Sequence, residues 1–237
     1  MEFLTSLARG MNAKDIALAQ SLASEINRSR ECMPILFDVK FTQLMRINLI
    51  LTKALADIMK MRGLLILVDR PYQYFVYLLK MHRVNTDRLT FLDVISDFSA
   101  DRKVLTAGIN LIKEPFRIDA LPDVISNFSC DDPQGCVDLK SCGFVLIDNV
   151  ATLLNYNGYL VVENFLRNFV HLTSTVNDIF FPIVIDSEKY PLLYETARGF
   201  CKRELKIENY QLLAGLQTGT RGANNERVEP GRGSGGL

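Results

Sequence analysis

Five short apolar runs in this chain each stop at an aspartate: Ile35–Asp38, Leu64–Asp69, Leu89–Asp93, Phe144–Asp148 and Ile183–Asp186. Carboxylates brought together can hold Mg²⁺ through oxygen ligands, and through the ion the phosphates of a nucleotide. The candidate ligand or metal edge is Asp69, Arg70, Asp93, Asp148 and Asn149. The competing reading is plainer: Asp and Asn are common where strands turn into helices, because their side chains cap the next helix or shape the turn. Strand ends spread across the width of a sheet cannot all converge. No catalytic residue and no dedicated metal ligand set follows from the pattern.

Other chemistries find less support. A phosphate site on a strand-to-helix turn uses glycines that let backbone N–H groups approach the anion, with a lysine to neutralise it. The turns Asp38–Val39–Lys40–Phe41 and Asp69–Arg70–Pro71–Tyr72 contain no glycine, Pro71 removes a donor, and Asp69 adds negative charge. An anionic rim without an amide cradle is expected, and ordinary P-loop ATP hydrolysis is disfavoured. The expectation is no cofactor, with Mg²⁺ or ATP as the outside options. Cys130, Cys136 and Cys142 are six residues apart, unlike the close pairs of zinc sites. The two histidines, His82 and His171, sit in helical stretches, and no serine or cysteine lies in a nucleophile-elbow context. Arg221–Gly222 and Arg232–Gly233 sit near Glu226 and Glu229, too little positive charge for a specific nucleic-acid partner.

These residues need a scaffold. Apolar residues make up 48% of the 237, enough for a large core, and the formal net charge is zero, which gives no bulk attraction to nucleic acid or anionic membrane. The longest apolar helix candidate, Ile47–Met59, is broken by Lys53 and Asp57 and falls short of the roughly 18–20 residues a membrane span needs. The start of the chain lacks a secretory pattern, and five scattered cysteines suit a reducing compartment. A cytoplasmic location is expected.

Residues 1–31 read as an N-terminal helical extension. Asn12 is placed as a cap, and Ile16, Leu18, Ala19, Leu22, Ala23 and Ile26 form one face. That face fits either the main domain or a second subunit. Residues 32–214 alternate strand and helix, the cadence of βαβ units with a mainly parallel sheet flanked by helices. Expected helices run from about Thr42 to Met61, with Gly63 as a C-cap, from Pro71 to Arg83, from Gly158 to Thr173 and from Tyr190 to Arg203. Short strand Val104–Ala107, helix Leu121–Phe128 and closing edge strand Leu205–Ile207 complete the domain. Residues 215–237 hold seven of the fourteen glycines and read as a disordered tail.

Two blocks carry a resemblance. GLLILVDRPYQYFVYLLKMHRVNTDRLTFLDVIS (63–96) and GFVLIDNVATLLNYNGYLVVENFLRNFVHLTS (143–174) resemble archaeal proteins related to KaiC and the wider RecA-like ATPases that have lost the P-loop. The likeness covers about residues 34–208. It implies a three-layer RecA-like α/β fold with Asp148 at the Walker-B position, Asn149 and Ala151 where that group often has serines, and Asp93 near the place of a catalytic glutamate. It also implies a catalytically inactive signalling or regulatory domain that works by protein–protein contact or self-association. The alternative is an unconventional Mg²⁺-dependent nucleotide binder built from strand-end carboxylates.

Overall fold

A computed structural model describes residues 10–29, 34–95, 109–111, 139–175 and 179–213. The strands are β1 (Ile35–Val39), β2 (Gly63–Leu67), β3 (Leu89–Asp93), β4 (Ile109–Leu111), β5 (Phe144–Ile147), β6 (Pro182–Ile185), β7 (Arg203–Glu208) and β8 (Gln211–Leu213). They pair in two ladders, β4-β3-β2-β5 and β6-β1-β7-β8. Among the described residues a single parallel bridge, Phe144 with Phe180, joins the ladders. There the Val145 N–H donates to Phe180 O at 2.9 Å and the Phe180 N–H to Gly143 O at 3.0 Å. Among the described residues every strand pairing is parallel except β7–β8.

Burial on both faces explains why these aliphatic runs become strands. All residues of β2, β5 and β6 are buried, as a parallel sheet covered on two sides requires. Side chains alternate across the pleat. Phe37, Leu65, Leu67, Leu146 and Val184 enter one core, and Leu36, Leu64, Ile66, Val145 and Ile183 the other. The first core is closed by α1 (Ala13–Arg28), α2 (Leu44–Thr52) and α3 (Tyr72–Met81). The second is closed by α4 (Tyr159–Thr175) and α5 (Pro191–Phe200). The protein is a three-layer α/β sandwich.

Helix α1 packs on its own domain. Leu18, Ala19, Leu22 and Ile26 are buried in the same core as α2. Asn12 Oδ1 accepts from the Lys14 and Asp15 N–H groups, and the Asn12 N–H donates to Asp15 Oδ2 at 2.7 Å, a complete capping box. Asp15 is also the buried partner of Arg46, whose Nε donates to it at 3.1 Å. A buried pair of this kind is costly to break by removing one side, so α1 is tied to α2 by charge as well as by apolar contact.

Several local expectations need correction. The helix foreseen over Thr42–Met61 is three pieces: a 3₁₀ turn (Phe41–Gln43), α2, and a π-helical turn (Lys53–Ile58), the last closed by the Met59 N–H on Ala54 O. Gly63 is not a C-cap but the first residue of β2; Lys60, at φ 59°, takes the left-handed position after the helix. Glycine is required at 63 because a Cβ there would lie 2.0 Å from the Phe144 ring. Leu205–Ile207 is not an edge, since β7 pairs with β1 on one side and β8 on the other. The hairpin turn to β8 uses Asn209 and Tyr210, both at positive φ, as a two-residue hairpin connection demands. The expected Val104–Ala107 strand, the Leu121–Phe128 helix, Cys130, Cys136 and the tail 215–237 lie outside the described residues. Among the described residues no helix is long and apolar enough to cross a membrane.

Candidate functional site

The five aspartate-ended strands are five neighbours in the sheet, in the order β3, β2, β5, β6, β1. Their carboxyl ends make a row rather than a cluster, about 19 Å from first to last at the usual strand spacing. Asp38, Asp93, Asp148 and Asp186 reach inward to backbone amides of a neighbouring turn, and Asp69 accepts from a side-chain hydroxyl instead.

Asp148 is buried beneath the turn after β2. Its Oδ1 accepts from the Val68 N–H at 2.7 Å, its Oδ2 from the Arg70 N–H at 3.1 Å, and both oxygens from the Asp69 N–H at 3.2 Å. Three successive amides converging on an anion form a nest. The expectation that no amide cradle exists is therefore wrong. The turn after β2 builds one without glycine, and the anion it holds is a side chain of the same molecule. Burial pushes the Asp148 carboxyl up to about 7; the three amides pull the other way, and the nearby Asp69 charge reinforces the rise.

Asp93 lies on the far side of β2. It accepts from the Tyr72 N–H at 2.8 Å and from the Ile95 N–H at 2.9 Å, so it caps α3 in place of a donor-poor Pro71. Asp38 and Asp186 clasp each other's turns. Asp38 accepts from the Ser187 N–H and Oγ at 3.0 and 2.8 Å. Asp186 accepts from the N–H groups of Phe41, Glu188 and Lys189 at 2.7, 3.0 and 3.1 Å. Burial works to raise Asp186, but the three amides and the Lys40 charge outweigh it and hold its carboxyl below the ordinary value.

With the carboxylates turned onto amides, cations stand beside them at the edge. Lys40 pairs with Glu188, Arg70 lies 3.3 Å from Asp69, and Lys189 sits 3.1 Å from the centre of the Phe41 ring. Among the described residues no group of three or more His, Cys, Asp or Glu side chains is placed to share a metal ion.

Four of the five candidate residues do meet. Asp69, Arg70, Asp148 and Asn149 line one side of a cavity of about 150 Å³ at the carboxyl ends of β1, β2 and β5. Phe41 and Thr42, from the 3₁₀ turn, and Leu44 and Met45, from the start of α2, complete the lining. The crevice lies where the chain leaves β2 in one direction for β3 and returns on the other side as β5, a switch point where open parallel sheets place ligands. Asp69 accepts from Thr152 Oγ1 at 2.9 Å. Arg70 reaches over the Tyr74 ring at 5.6 Å. Asn149 is only 3% exposed, yet its Oδ1 has no hydrogen-bond partner.

Sequence reasoning missed three contributors. Asn48 is fully buried in α2 and donates through Nδ2 to the Asp148 backbone carbonyl; a lone amide in the run LMRINLILT was the available signal. Thr152 holds Asp69. The apolar wall from Phe41 to Met45 had no local signature at all.

No protein-family model matches the chain, and no curated protein sequence matches it. Among solved structures it is similar to the flagellar accessory protein FlaH from Methanocaldococcus jannaschii, at 11% identity and a TM-score of 0.47, over 76% of this chain and 74% of that one.

Proposed function

We propose that this chain is a catalytically inactive RecA/KaiC-like domain that serves as a signalling or regulatory binding module in an archaeal cytoplasm, through contact with a protein partner or with further copies of itself. The observation that carries the reading is the Asp148 carboxylate seated on the amides of residues 68–70. An aspartate that positions Mg²⁺ for a nucleotide must present its oxygens to the ion. Here both oxygens are engaged by backbone, and the nest that would suit a phosphate is filled. Two features add support. The first amide of the turn after β1, Phe41 N–H, is committed to Asp186, and the cavity of about 150 Å³ is below the roughly 300–1,000 Å³ typical of ligand pockets.

Isothermal titration with ATP·Mg²⁺, together with a phosphate-release assay, tests this. The expected result is no saturable heat and no turnover; micromolar binding with hydrolysis overturns it. Light scattering across a concentration series reads self-association directly. The nucleotide-binding alternative draws on the meeting of Asp69, Arg70, Asp148 and Asn149 in one cavity. It predicts that Mg²⁺ with nucleotide raises the melting temperature and that Asp148→Asn removes the rise.

A further inference from the structure

Among the described residues Ile16, Phe41, Ile58, Tyr77 and Leu213 are exposed singly, on five different elements, and scattered exposure of that kind is normal. Four other large apolar side chains gather in one place. Tyr156, which closes the 3₁₀ turn Val150–Asn155, is 60% exposed. Leu160 and Val161, in the first turn of α4, are 71% and 37% exposed, and Leu192, in the first turn of α5, is 64% exposed. The two helix starts are fastened to each other. The Tyr159 hydroxyl donates to Leu192 O at 3.1 Å and also bonds Thr196 Oγ1. Further along, the Arg167 guanidinium lies 5.1 Å from the centre of the Phe200 ring. The apolar side chains therefore share one preformed face across α4 and α5.

Charge decides what can cover that face. Residues 149–162 and 190–194 contain no Asp, Glu, Lys or Arg, so its centre is neutral. Cores of protein interfaces are depleted of charge and enriched in tyrosine in the same way. At the margin stand ion pairs, Glu163 with Arg167 at 3.0 Å on α4 and Glu195 with Arg198 at 3.4 Å on α5. A lipid surface would call for surplus Lys or Arg around the apolar residues, and here acids and bases are matched. A strongly acidic or basic protein would find no opposing field. A neutral centre with both signs on its margin is complementary to itself, as a two-fold contact requires. The whole chain carries 27 basic and 27 acidic residues, so two copies approach without net repulsion.

We propose that the face formed by Tyr156, Leu160, Val161 and Leu192 is the contact through which two copies of this chain pair about a two-fold axis. The pairing rests on, and makes specific, the reading of a module that associates with further copies of itself. Its driving force is the removal of these side chains from water. Because Tyr159 already holds the two helix starts together, little further ordering is needed on association.

Sedimentation velocity on the full chain between about 1 and 100 µM tests this, the range in which a small apolar contact associates. The expected result is a reversible shift from the 26.8 kDa monomer to a species of twice that mass. Salt at about 0.5 M should change it little, because the contact is apolar. Leu160→Asp and Leu192→Asp, each at an exposed position, should raise the dissociation constant at least about tenfold and leave the circular-dichroism melt in place. Tyr156→Ser, a milder change, should raise it about threefold. Tyr77→Asp, exposed on α3, should leave it unchanged. The proposal is overturned if the chain stays monomeric throughout, or if assembly runs past the dimer. It is overturned equally if all three face variants pair as the natural sequence does, or if Tyr77→Asp weakens pairing as much as they do. The nucleotide titration remains a separate test: ATP turnover by a dimer overturns the inactive reading alone, and a monomer without turnover overturns the pairing face alone.

Discussion

Two aspartates at the carboxyl edge do the same work in different surroundings. Asp148 and Asp186 each accept from three backbone amides, and both are nearly inaccessible, at 3% and 6% exposure. Yet Asp148 is pushed up to about 7 while Asp186 is held below its ordinary value. Surface accessibility does not separate them. Depth of packing and the neighbouring charge do: Asp148 lies under the β2–α3 turn with Asp69 beside it, and Asp186 lies near the surface with Lys40 close by. Equal hydrogen bonding therefore yields opposite proton affinities, because desolvation outweighs three amides in one place and falls short of three amides plus a cation in the other.

Removing each acceptor gives the largest test of that contrast. Asp148→Ala removes the acceptor of three N–H groups, the Val68 one buried and those of Asp69 and Arg70 partly buried, and should cost about 4 kcal/mol in urea unfolding. Asp186→Ala, at the shallower site, should cost about 2 kcal/mol. Equal losses would break the comparison.

The pH dependence is next in size. Because the folded Asp148 titrates at about 7 and the unfolded residue near 3.8, the native state holds a proton that the unfolded state has released. Its contribution is fully present below the unfolded value and is lost as pH rises through about 7. Between about pH 5.5 and pH 8 this amounts to about 2 kcal/mol. Asp186 has the opposite sign, stabilising above its unfolded value and losing that support as acid protonates it. Denaturant midpoints at the two pH values should fall on going alkaline in the natural sequence and flatten in Asp148→Asn; a slope that survives that substitution would assign it to another group.

Smaller changes sharpen the picture. Ser187→Ala keeps the backbone donor to Asp38 but loses the hydroxyl, for about 1 kcal/mol. Thr152→Val removes the hydroxyl on Asp69, a partly exposed carboxylate that water can serve instead, for about 0.5 kcal/mol. A larger loss at Thr152 than at Ser187, read by the same unfolding curves, would place Asp69 deeper in the energetics than its exposure indicates.

The fold was legible because its signals are local. Aliphatic runs such as Leu64–Leu67 and Phe144–Ile147 can satisfy their burial only inside a covered sheet, and Asn12 with Asp15 spells out a helix start within four residues. The row of aspartates was legible for the same reason, as residue types at strand ends. Where their oxygens point was not. Asp186 finds the Phe41 amide across 145 positions of sequence and Asp148 finds Val68 across 80, and no spacing rule connects them. The π-helical turn at Lys53–Ile58 and the 3₁₀ turn before α2 were also hidden, because apolar periodicity looks alike for a continuous helix and an interrupted one. Gly63 misled because a glycine after a helical run imitates a cap, while its reason is the ring of Phe144 lying across it.

The single bridge between Phe144 and Phe180 has a mechanical meaning. Ladders of three to five registered residue pairs hold each half of the sheet together, whereas among the described residues the ladders are joined by the few backbone bonds at that bridge, near the amino end of β5. Stress applied across the strands would concentrate on this narrow weld, and the helices lying over it would have to carry the load. Amide exchange at Val145 and Phe180 would then report the first parting of the molecule into two leaves, well before either leaf frays at its own margin.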